Sequence, residues 1–185
     1  MTASRQAAVF LDRDGVLNTA VVRNGKPYPP ASLEELEIPS EVFHFSRELS
    51  AAGFFLIGIT NQPDVARGST RREVVEGINA ALSSALPLQE ILVCYHDDAD
   101  KCACRKPHPG LIFEAAQKYG VELARSFMIG DRWKDIEAGR RAGCRTIFID
   151  RGYAESKPEP PADFTTDSFS QAAAWILSEV DRPGA

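Results

Sequence analysis

The chain has 185 residues, of which 44% are hydrophobic and 25% charged, and its formal net charge is −5. This composition is that of a globular chain and excludes disordered, collagen-like and fibrous proteins. The acidic balance argues against a nucleic-acid binder, because phosphate backbones are held by clustered Lys and Arg. The length predicts a single domain over 1–185.

The chain starts with MTASRQAAVFL, which carries one Arg and an apolar run of only five residues. Such a run predicts neither a signal peptide nor a membrane span, so we expect a cytoplasmic protein without a membrane partner. In that reducing compartment, closely spaced cysteines indicate metal binding rather than disulfides. The cysteines are Cys94, Cys102, Cys104 and Cys144.

Apolar runs of strand length alternate with segments of helical spacing along the chain. The predicted strands cover 7–11, 54–59, 91–95, 126–129 and 145–149, and the predicted helices cover 42–52, 70–86, 109–119 and 134–142. This alternation predicts an α/β fold, a Rossmann-like parallel sheet flanked by helices. Ligands of such sheets gather at the carboxyl ends of the strands, so the residues after each run are site candidates.

Two carboxylates, Asp12 and Asp14, follow the first predicted strand and precede Gly15. Burying an unpaired carboxylate costs several kcal/mol, whereas a Mg²⁺ ion at the sheet edge accepts oxygen ligands. One carboxylate could then attack phosphorus while the other transfers a proton. By itself, this motif is also compatible with an ordinary turn that uses capping aspartates.

The next two strand ends carry groups that suit phosphate. Thr60 is followed by the amides of Asn61 and Gln62, which can donate hydrogen bonds to phosphate oxygens or simply form a turn. Arg105 and Lys106 precede the start of a predicted helix. Two cations at a helix N-terminus are unfavourable, because the helix dipole favours anions there. One explanation for this pair is an anion held between the two side chains and the helix dipole, and the other is a solvated basic pair.

The fourth strand end adds a further acidic cluster, Gly130-Asp131 with Asp135. Asp131 is a candidate third carboxylate for magnesium, and Asp135 could orient a ligand or the lysine from outside the metal's ligand set. The alternative for this pair is a helix cap and a first-turn acid.

In this order and spacing, four motifs resemble those of the haloacid dehalogenase superfamily of phosphotransferases: Asp12-x-Asp14-Gly15, Thr60-Asn61, Lys106, and Gly130-Asp131 with Asp135. The resemblance covers about residues 7 to 150. Within that superfamily, the stretches FLDRDG, TNQ, ARG and CRKPHPG are similar to the D-glycero-D-manno-heptose 1,7-bisphosphate phosphatases and the related histidinol-phosphate phosphatases.

The resemblance implies a role for each matching residue. Asp12 would be the nucleophile that forms an aspartyl-phosphate, and Asp14 the acid and then the base. Magnesium would be held by the Asp12 carboxylate, the Asp14 backbone carbonyl and Asp131, while Thr60 and Lys106 would hold the transferring phosphoryl group. Phosphoryl transfer depends mainly on such positioning and charge stabilisation.

A loop with four potential metal ligands lies between the third predicted strand and Lys106. Cys94, His96, Cys102 and Cys104 match the ligand count of a closed tetrahedral zinc site, with a redox cluster or a reduced loop as the alternative. A structural zinc there would fix the adjacent cations. The same loop is a feature of the two phosphatase families, whereas Cys144 is expected to be an ordinary buried residue.

The sequence predicts no large cap domain, so we expect an open site covered by loops. An open site suits a substrate with a second charged group such as a phosphate, for which Arg105 and Arg132 are candidate partners. The full predicted substrate-binding set is Asp12, Arg13, Asp14, Thr60, Asn61, Gln62, Pro63, Arg105, Lys106 and Arg132.

The predicted function is that of a monomeric, magnesium-dependent phosphomonoesterase that removes the 7-phosphate of heptose 1,7-bisphosphate. Histidinol phosphate, another small metabolite and, outside catalysis, a zinc-binding scaffold are the alternatives. The loop 18–30 lacks the Asp and the Gly-Tyr-Val segment that the heptose family commonly has there. A phosphatase of nucleic-acid ends fits the negative charge poorly.

Overall fold

A computed structural model describes residues 6–180 of the chain. The expectation of no leader segment at residues 1–5 and both ends of the predicted domain lie outside the described residues. The structure contains a six-stranded sheet in which every strand pair is parallel. In spatial order its strands are β5 (Leu88–Cys94), β4 (Phe55–Asn61), β1 (Ala8–Leu11), β6 (Phe127–Gly130), β7 (Arg145–Ile149) and β8 (Phe164–Thr166).

Helices cover both faces of this sheet, as predicted. One face packs against α1 (Ser40–Ala51), α2 (Arg72–Ala85) and α5 (Phe169–Val180), and the other against α3 (Gly110–Tyr119) and α4 (Trp133–Ala142). In β1 all four side chains are buried, with Val9 and Leu11 in the first core and Ala8 and Phe10 in the second. An uninterrupted apolar run is what a strand covered on both faces requires. The predicted fold class is confirmed.

The bounds of the predicted elements differ from the observed ones mainly where polar residues interrupt an apolar run. Strand β5 begins at Leu88, three residues before the prediction, because Gln89 and Glu90 belong to an edge strand that is only partly covered. The prediction omitted β8 and α5. No helix of residues 6–180 is long and apolar enough to cross a membrane.

A small antiparallel hairpin lies between β1 and α1, where the prediction had only a loop. It consists of β2 (Val21–Arg23) and β3 (Lys26–Tyr28). Asn24 and Gly25 have φ angles of 51° and 74°, the left-handed values that a two-residue type I′ turn needs. The Gly25 carbonyl accepts a hydrogen bond from the Ala154 amide at 2.8 Å, which attaches the hairpin to the segment after β7.

Candidate active site

A cleft of about 320 Å³ opens at the carboxyl ends of β1, β4 and β6. Most of the predicted site residues line it, namely Asp12, Asp14, Thr60, Asn61, Gln62, Pro63, Lys106 and Arg132. Asp135 lines it too, whereas Asp131 lies just beneath, buried at 2% exposure. The predicted residues Arg13 and Arg105 do not line this cleft.

Lys106 stands at the centre of a buried charge cluster. Its Nζ donates to Asp12 Oδ1 at 2.5 Å and to the Ile59 carbonyl at 2.7 Å, and lies 2.6 Å from Asp135 Oδ1. Burial lowers the pKa of Lys106, but the two carboxylates outweigh burial and the net direction is upward. Burial raises the pKa of Asp12 to about 6, against the opposing attraction of Lys106. One cation therefore balances only part of the negative charge collected here.

Asp131 carries the uncompensated part of that charge. Neither of its carboxylate oxygens accepts a hydrogen bond of normal geometry from residues 6–180. The Tyr153 hydroxyl is the donor that interacts with this carboxylate, and it only partly opposes the rise in the Asp131 pKa. Burial, followed by repulsion from Asp12 and Asp135, raises the pKa of Asp131 well above its ordinary value. Because buried polar atoms are nearly always paired, the missing partner needs an explanation, and a bound cation would supply it.

The carboxylates fit a divalent cation. Ligand oxygens of Asp12, Asp131 and Asp135 lie within 4.8 Å of one another. Gly15 permits this arrangement, because its φ is +98° and a Cβ atom there would stand 1.7 Å from Asp131 Oδ2. Hard carboxylate oxygens gathered at a strand end are the ligand set that Mg²⁺ prefers.

Asp14 is held to one side of the cluster by a fixed set of donors. Its carboxylate accepts hydrogen bonds from Arg13 Nε and Nη2, from Gln62 Nε2 at 2.8 Å and from Asn18 Nδ2 at 3.1 Å. Arg13 is fully buried and its Nη1 donates to Asn79 Oδ1 at 2.9 Å. The guanidinium thus supports Asp14 from behind, which differs from the predicted substrate contact of Arg13.

The end of β4 contributes three polar side chains with different partners. Thr60 Oγ1 accepts from Gln62 Nε2 at 3.0 Å, so Gln62 bridges Thr60 and Asp14. Asn61 Nδ2 donates to the Lys106 carbonyl at 3.0 Å, and the Lys106 amide donates to Asn61 Oδ1 at 3.1 Å. Gln62 therefore connects two catalytic candidates, and Asn61 connects the end of β4 to the backbone of Lys106.

The four predicted zinc ligands come together in the loop after β5. Cys104 Sγ lies 3.3 Å from both other ligand sulfurs and 3.2 Å from His96 Nδ1, and Cys94 Sγ lies 3.6 Å from Cys102 Sγ. Tetrahedral zinc with bonds of about 2.3 Å places its sulfurs about 3.7 Å apart, close to these separations. The residues thus suit a closed zinc site.

Arg105 faces that loop, residues 94–104 and called the metal loop below, and does not face the cleft. Its Nε donates to Asp98 Oδ1 at 2.8 Å and its Nη1 to the His96 carbonyl at 3.3 Å. Its Nε and Nη1 groups thus bind the metal loop, and the role of Arg105 as a substrate contact stays a prediction. Arg67, from the segment after β4, also reaches the loop through Asp97.

Arg132 lines the cleft but has a carboxylate partner. Its Nε and Nη2 donate to the two oxygens of Glu155 at 2.8 and 2.6 Å. Lys26 of the hairpin and Lys134 of α4 line the same cleft and form no ion pair within residues 6–180. These two ammonium groups are the cations of the cleft that remain without a carboxylate.

Several residues of the cleft were not predicted from the sequence. They are Lys26, Pro27, Tyr28 and Pro29 from the hairpin, Asp64 and Arg67 after β4, and Lys134 and Glu155. The Asn24-Gly25 pair between two short β-prone segments was the signal for the hairpin. Nothing in the local sequence indicated Glu155, which meets Arg132 only through the tertiary fold.

Comparison with known proteins identifies the family. A HAD-hydrolase-like family model matches residues 103–172. The D-glycero-beta-D-manno-heptose-1,7-bisphosphate 7-phosphatase of Pseudomonas aeruginosa is 32% identical over 180 residues, covering 93% of this chain and 98% of that protein. The enzyme of the same name from Helicobacter pylori is 36% identical over 148 residues, covering 77% and 82%.

A solved structure agrees with this relationship. The D,D-heptose 1,7-bisphosphate phosphatase of B. bronchiseptica, crystallised with magnesium and phosphate, has a TM-score of 0.78 at 27% identity. The match covers 94% of this chain and 99% of that one. The chain is thus a phosphatase and belongs to the D-glycero-D-manno-heptose 1,7-bisphosphate 7-phosphatase family of the haloacid dehalogenase superfamily.

Proposed function

We propose that this protein is a magnesium-dependent phosphatase that removes the 7-phosphate of a heptose 1,7-bisphosphate through an aspartyl-phosphate on Asp12. The observation that carries the proposal is the cluster at the base of the cleft. There Asp12 contacts Lys106, and ligand oxygens of Asp12 and Asp131 lie within 4.8 Å of one another. A nucleophilic carboxylate between a fixed cation and a metal site suits attack on an anionic phosphoryl group.

Magnesium would be held by the Asp12 and Asp131 carboxylates and the Asp14 backbone carbonyl, and when bound it would neutralise charge on the phosphoryl oxygens. Lys106, whose Nζ touches Asp12, would screen the repulsion between this carboxylate and phosphate. Thr60, buried to 1% exposure at the end of β4, would donate its hydroxyl to a phosphoryl oxygen. These groups position the phosphorus beside Asp12.

The chemical steps then use two carboxylates. An Asp12 oxygen forms a bond to phosphorus while the bond between phosphorus and the sugar oxygen breaks, and Asp14 gives its proton to the departing alkoxide. Asp14 next takes a proton from water, whose oxygen attacks phosphorus and displaces the Asp12 carboxylate as phosphate forms. Gln62, 2.8 Å from Asp14, and Arg13 orient the carboxylate that makes both transfers.

Recognition of the second phosphate is assigned to Lys26 and Lys134. Both line the cleft, and both lack a carboxylate within residues 6–180, whereas Arg132 is engaged by Glu155 and Arg105 by Asp98. A dianionic group entering the cleft would gain most from cations that need not first leave a partner. Tyr28, 40% exposed between two prolines, offers an apolar surface beside them.

The Cys94, His96, Cys102 and Cys104 cluster is proposed to hold a structural zinc ion, with Cys144 apart from it. Thiolate ligands stay available in a reducing compartment, which agrees with a cytoplasmic location. We further propose that residues 1–185 act as one domain and as a monomer on a small phosphorylated metabolite, with no nucleic-acid or membrane partner.

The proposal is tested by phosphate release from heptose 1,7-bisphosphate, heptose 7-phosphate and histidinol phosphate, with and without Mg²⁺. We expect Mg²⁺-dependent release, fastest from the bisphosphate, and its loss in Asp12→Asn. Asp167→Asn, an exposed carboxylate distant in sequence from the motifs, is the matched control. No release from any of the three compounds would refute the phosphatase mechanism, and preference for histidinol phosphate would refute the substrate.

The Lys26→Met and Lys134→Met variants test the second-phosphate assignment. They should lower kcat/KM for the bisphosphate about 10-fold each and leave the 7-monophosphate unchanged, since each removes one charge-assisted contact. Equal losses on both substrates would show that the lysines do not read the second phosphate.

A further inference from the structure

Lys106 lies in a stretch without regular secondary structure, between the metal loop and α3. Its side chain is nevertheless placed within 2.7 Å of three acceptors on three different segments, Asp12, Asp135 and the Ile59 carbonyl. A flexible four-carbon side chain can be that well placed only if its backbone is held as well.

Asn61 provides that hold. Its side-chain amide makes a reciprocal pair with the backbone of Lys106, donating to the carbonyl at 3.0 Å and accepting from the amide at 3.1 Å. The two bonds fix both the position and the rotation of the Lys106 backbone. Asn61 is the last residue of β4, and its own backbone is registered with Cys94 in β5, so the anchor is part of the sheet.

The residues on either side of Lys106 do not replace this anchor. The nearby backbone hydrogen bonds run from His108 to the Arg105 carbonyl at 2.9 Å and from Gly110 to the Ala103 carbonyl at 3.0 Å. Lys106 itself is only 3% exposed, so water cannot readily pair its amide and carbonyl. Without Asn61, both groups would be buried without a partner and the segment would shift to satisfy them.

We propose that Asn61 is a positioning residue that acts through Lys106, holding its ammonium group at the phosphoryl site by clamping its backbone. This inference rests on the proposed function, because it needs Lys106 to stabilise the transferring phosphoryl group. It also replaces the predicted substrate contact of Asn61, since both ends of this amide face Lys106.

A double-mutant cycle on the full-length, metal-loaded protein tests the proposal. The variants are Asn61→Ala, Lys106→Met and the pair, assayed with p-nitrophenyl phosphate at saturating Mg²⁺. Displacement of a catalytic group by about 1 Å costs about 100-fold, so we expect kcat to fall about 10- to 100-fold in Asn61→Ala. In the Lys106→Met background, Asn61→Ala should change kcat less than about 3-fold.

Two further measurements keep folding and metal loss apart from positioning. Zinc content and Tm are recorded for each variant, and Asn61→Asp repeats the test with a side chain of the same size that cannot donate to the Lys106 carbonyl. Its kcat should fall similarly at native zinc content. Gln89→Ala, which removes an exposed amide of β5, is the matched control and should retain native kcat.

The outcomes separate the two proposals. Equal losses from Asn61→Ala in both backgrounds, or a rise in KM with kcat unchanged, would overturn the positioning role. Native kcat in Asn61→Asp and Asn61→Ala would do so too. If the native chain releases no phosphate from any substrate, the proposed function fails before the cycle is run. If the native chain is active and Asn61→Ala leaves kcat unchanged, only this inference is refuted.

Discussion

Replacing Asp131 by Asn should stabilise the protein in the absence of Mg²⁺ while removing Mg²⁺-dependent activity. The carboxylate is 2% exposed, and its oxygens have no hydrogen bond of normal geometry within residues 6–180. Carboxylate oxygens of Asp12 and Asp135 lie within 4.8 Å of it. At that distance, repulsion between two unit charges is about 3 kcal/mol for an effective dielectric constant of about 20, and Asp131 has two such neighbours, so the total is about 6 kcal/mol.

Part of this repulsion is already relieved by Lys106 and by proton uptake, and burying the Asn amide without a partner costs about 1–3 kcal/mol. A net gain of about 2 kcal/mol is therefore expected at pH 8, which raises the Tm by about 4–8 °C in a chain of this length. The change isolates the cost of the metal site, because Asn keeps the shape of Asp and removes only the charge.

The gain should depend on pH in a defined direction. Burial raises the pKa of Asp131 in the folded state, so the folded protein binds more protons than the unfolded one above about pH 4. The contribution of Asp131 to the stability of the native chain is then greatest at low pH, and it is lost as the pH rises through the pKa of the folded state. The amide that Asp131→Asn introduces does not titrate, so the difference in Tm between variant and native chain should widen from pH 5 to pH 8.

Thermal unfolding at several pH values, followed by circular dichroism in Mg²⁺-free buffer, measures the effect. Millimolar Mg²⁺ should reverse the order, because a ligand at about 100 times its Kd stabilises the native chain by about 2.7 kcal/mol. Asp167→Asn serves as an exposed control with an expected change within about 0.5 kcal/mol. A variant no more stable than the native chain at pH 8 without Mg²⁺ would refute the reasoning.

Two further predictions concern the metal loop and the packing beneath the site. Cys104→Ser should remove zinc from the purified protein, measured by elemental analysis, and lower the Tm, whereas Cys144→Ser should keep the zinc; full zinc content in Cys104→Ser would contradict the ligand set. Gly130→Ala would place a Cβ atom 2.0 Å from Asp135 Cβ, so the free energy of unfolding, measured with denaturant, should fall by about 3 kcal/mol. In Gly77→Ala, within α2, the added Cβ would lie 3.9 Å from Leu33 Cδ1, an ordinary van der Waals contact, so the free energy of unfolding should instead rise by about 0.5–1 kcal/mol. Equal effects of the two substitutions would contradict the packing argument.

The sheet and the base of the site could be predicted because both follow from local order along the chain. An apolar run such as 8–11 has few alternatives to a strand covered on both faces. Parallel strands end at one edge, so polar residues after β1, β4 and β6 must approach one another. The grouping of the four predicted zinc ligands could be predicted for the same reason, since all four lie within eleven consecutive residues, 94–104.

The partners of the cationic side chains could not be predicted in this way. Arg13, Arg105 and Arg132 look alike as charges beside motifs, yet one supports Asp14, one binds the metal loop and one pairs with Glu155. Each choice depends on which carboxylate the fold brings within hydrogen-bonding distance. The hairpin that contributes Lys26 is short and mostly exposed, so no hydrophobic alternation marks its strands and the Asn24-Gly25 turn is its main signal in the sequence.

Determined by the sequence alone were the α/β class and the grouping of Asp12, Asp14, Lys106 and Asp131 at one sheet edge. Through the family resemblance, the sequence also predicts that these four residues transfer a phosphoryl group and that the loop 94–104 holds zinc. These depend on residue type and on order along the chain. Only the tertiary structure decided that Asn61 clamps Lys106, that Lys26 and Lys134 are the cations of the cleft without a carboxylate among residues 6–180, and that the Asp131 oxygens are buried without a hydrogen bond of normal geometry there. Long-range pairing and burial arise when distant segments pack together, and short-range patterns do not encode them.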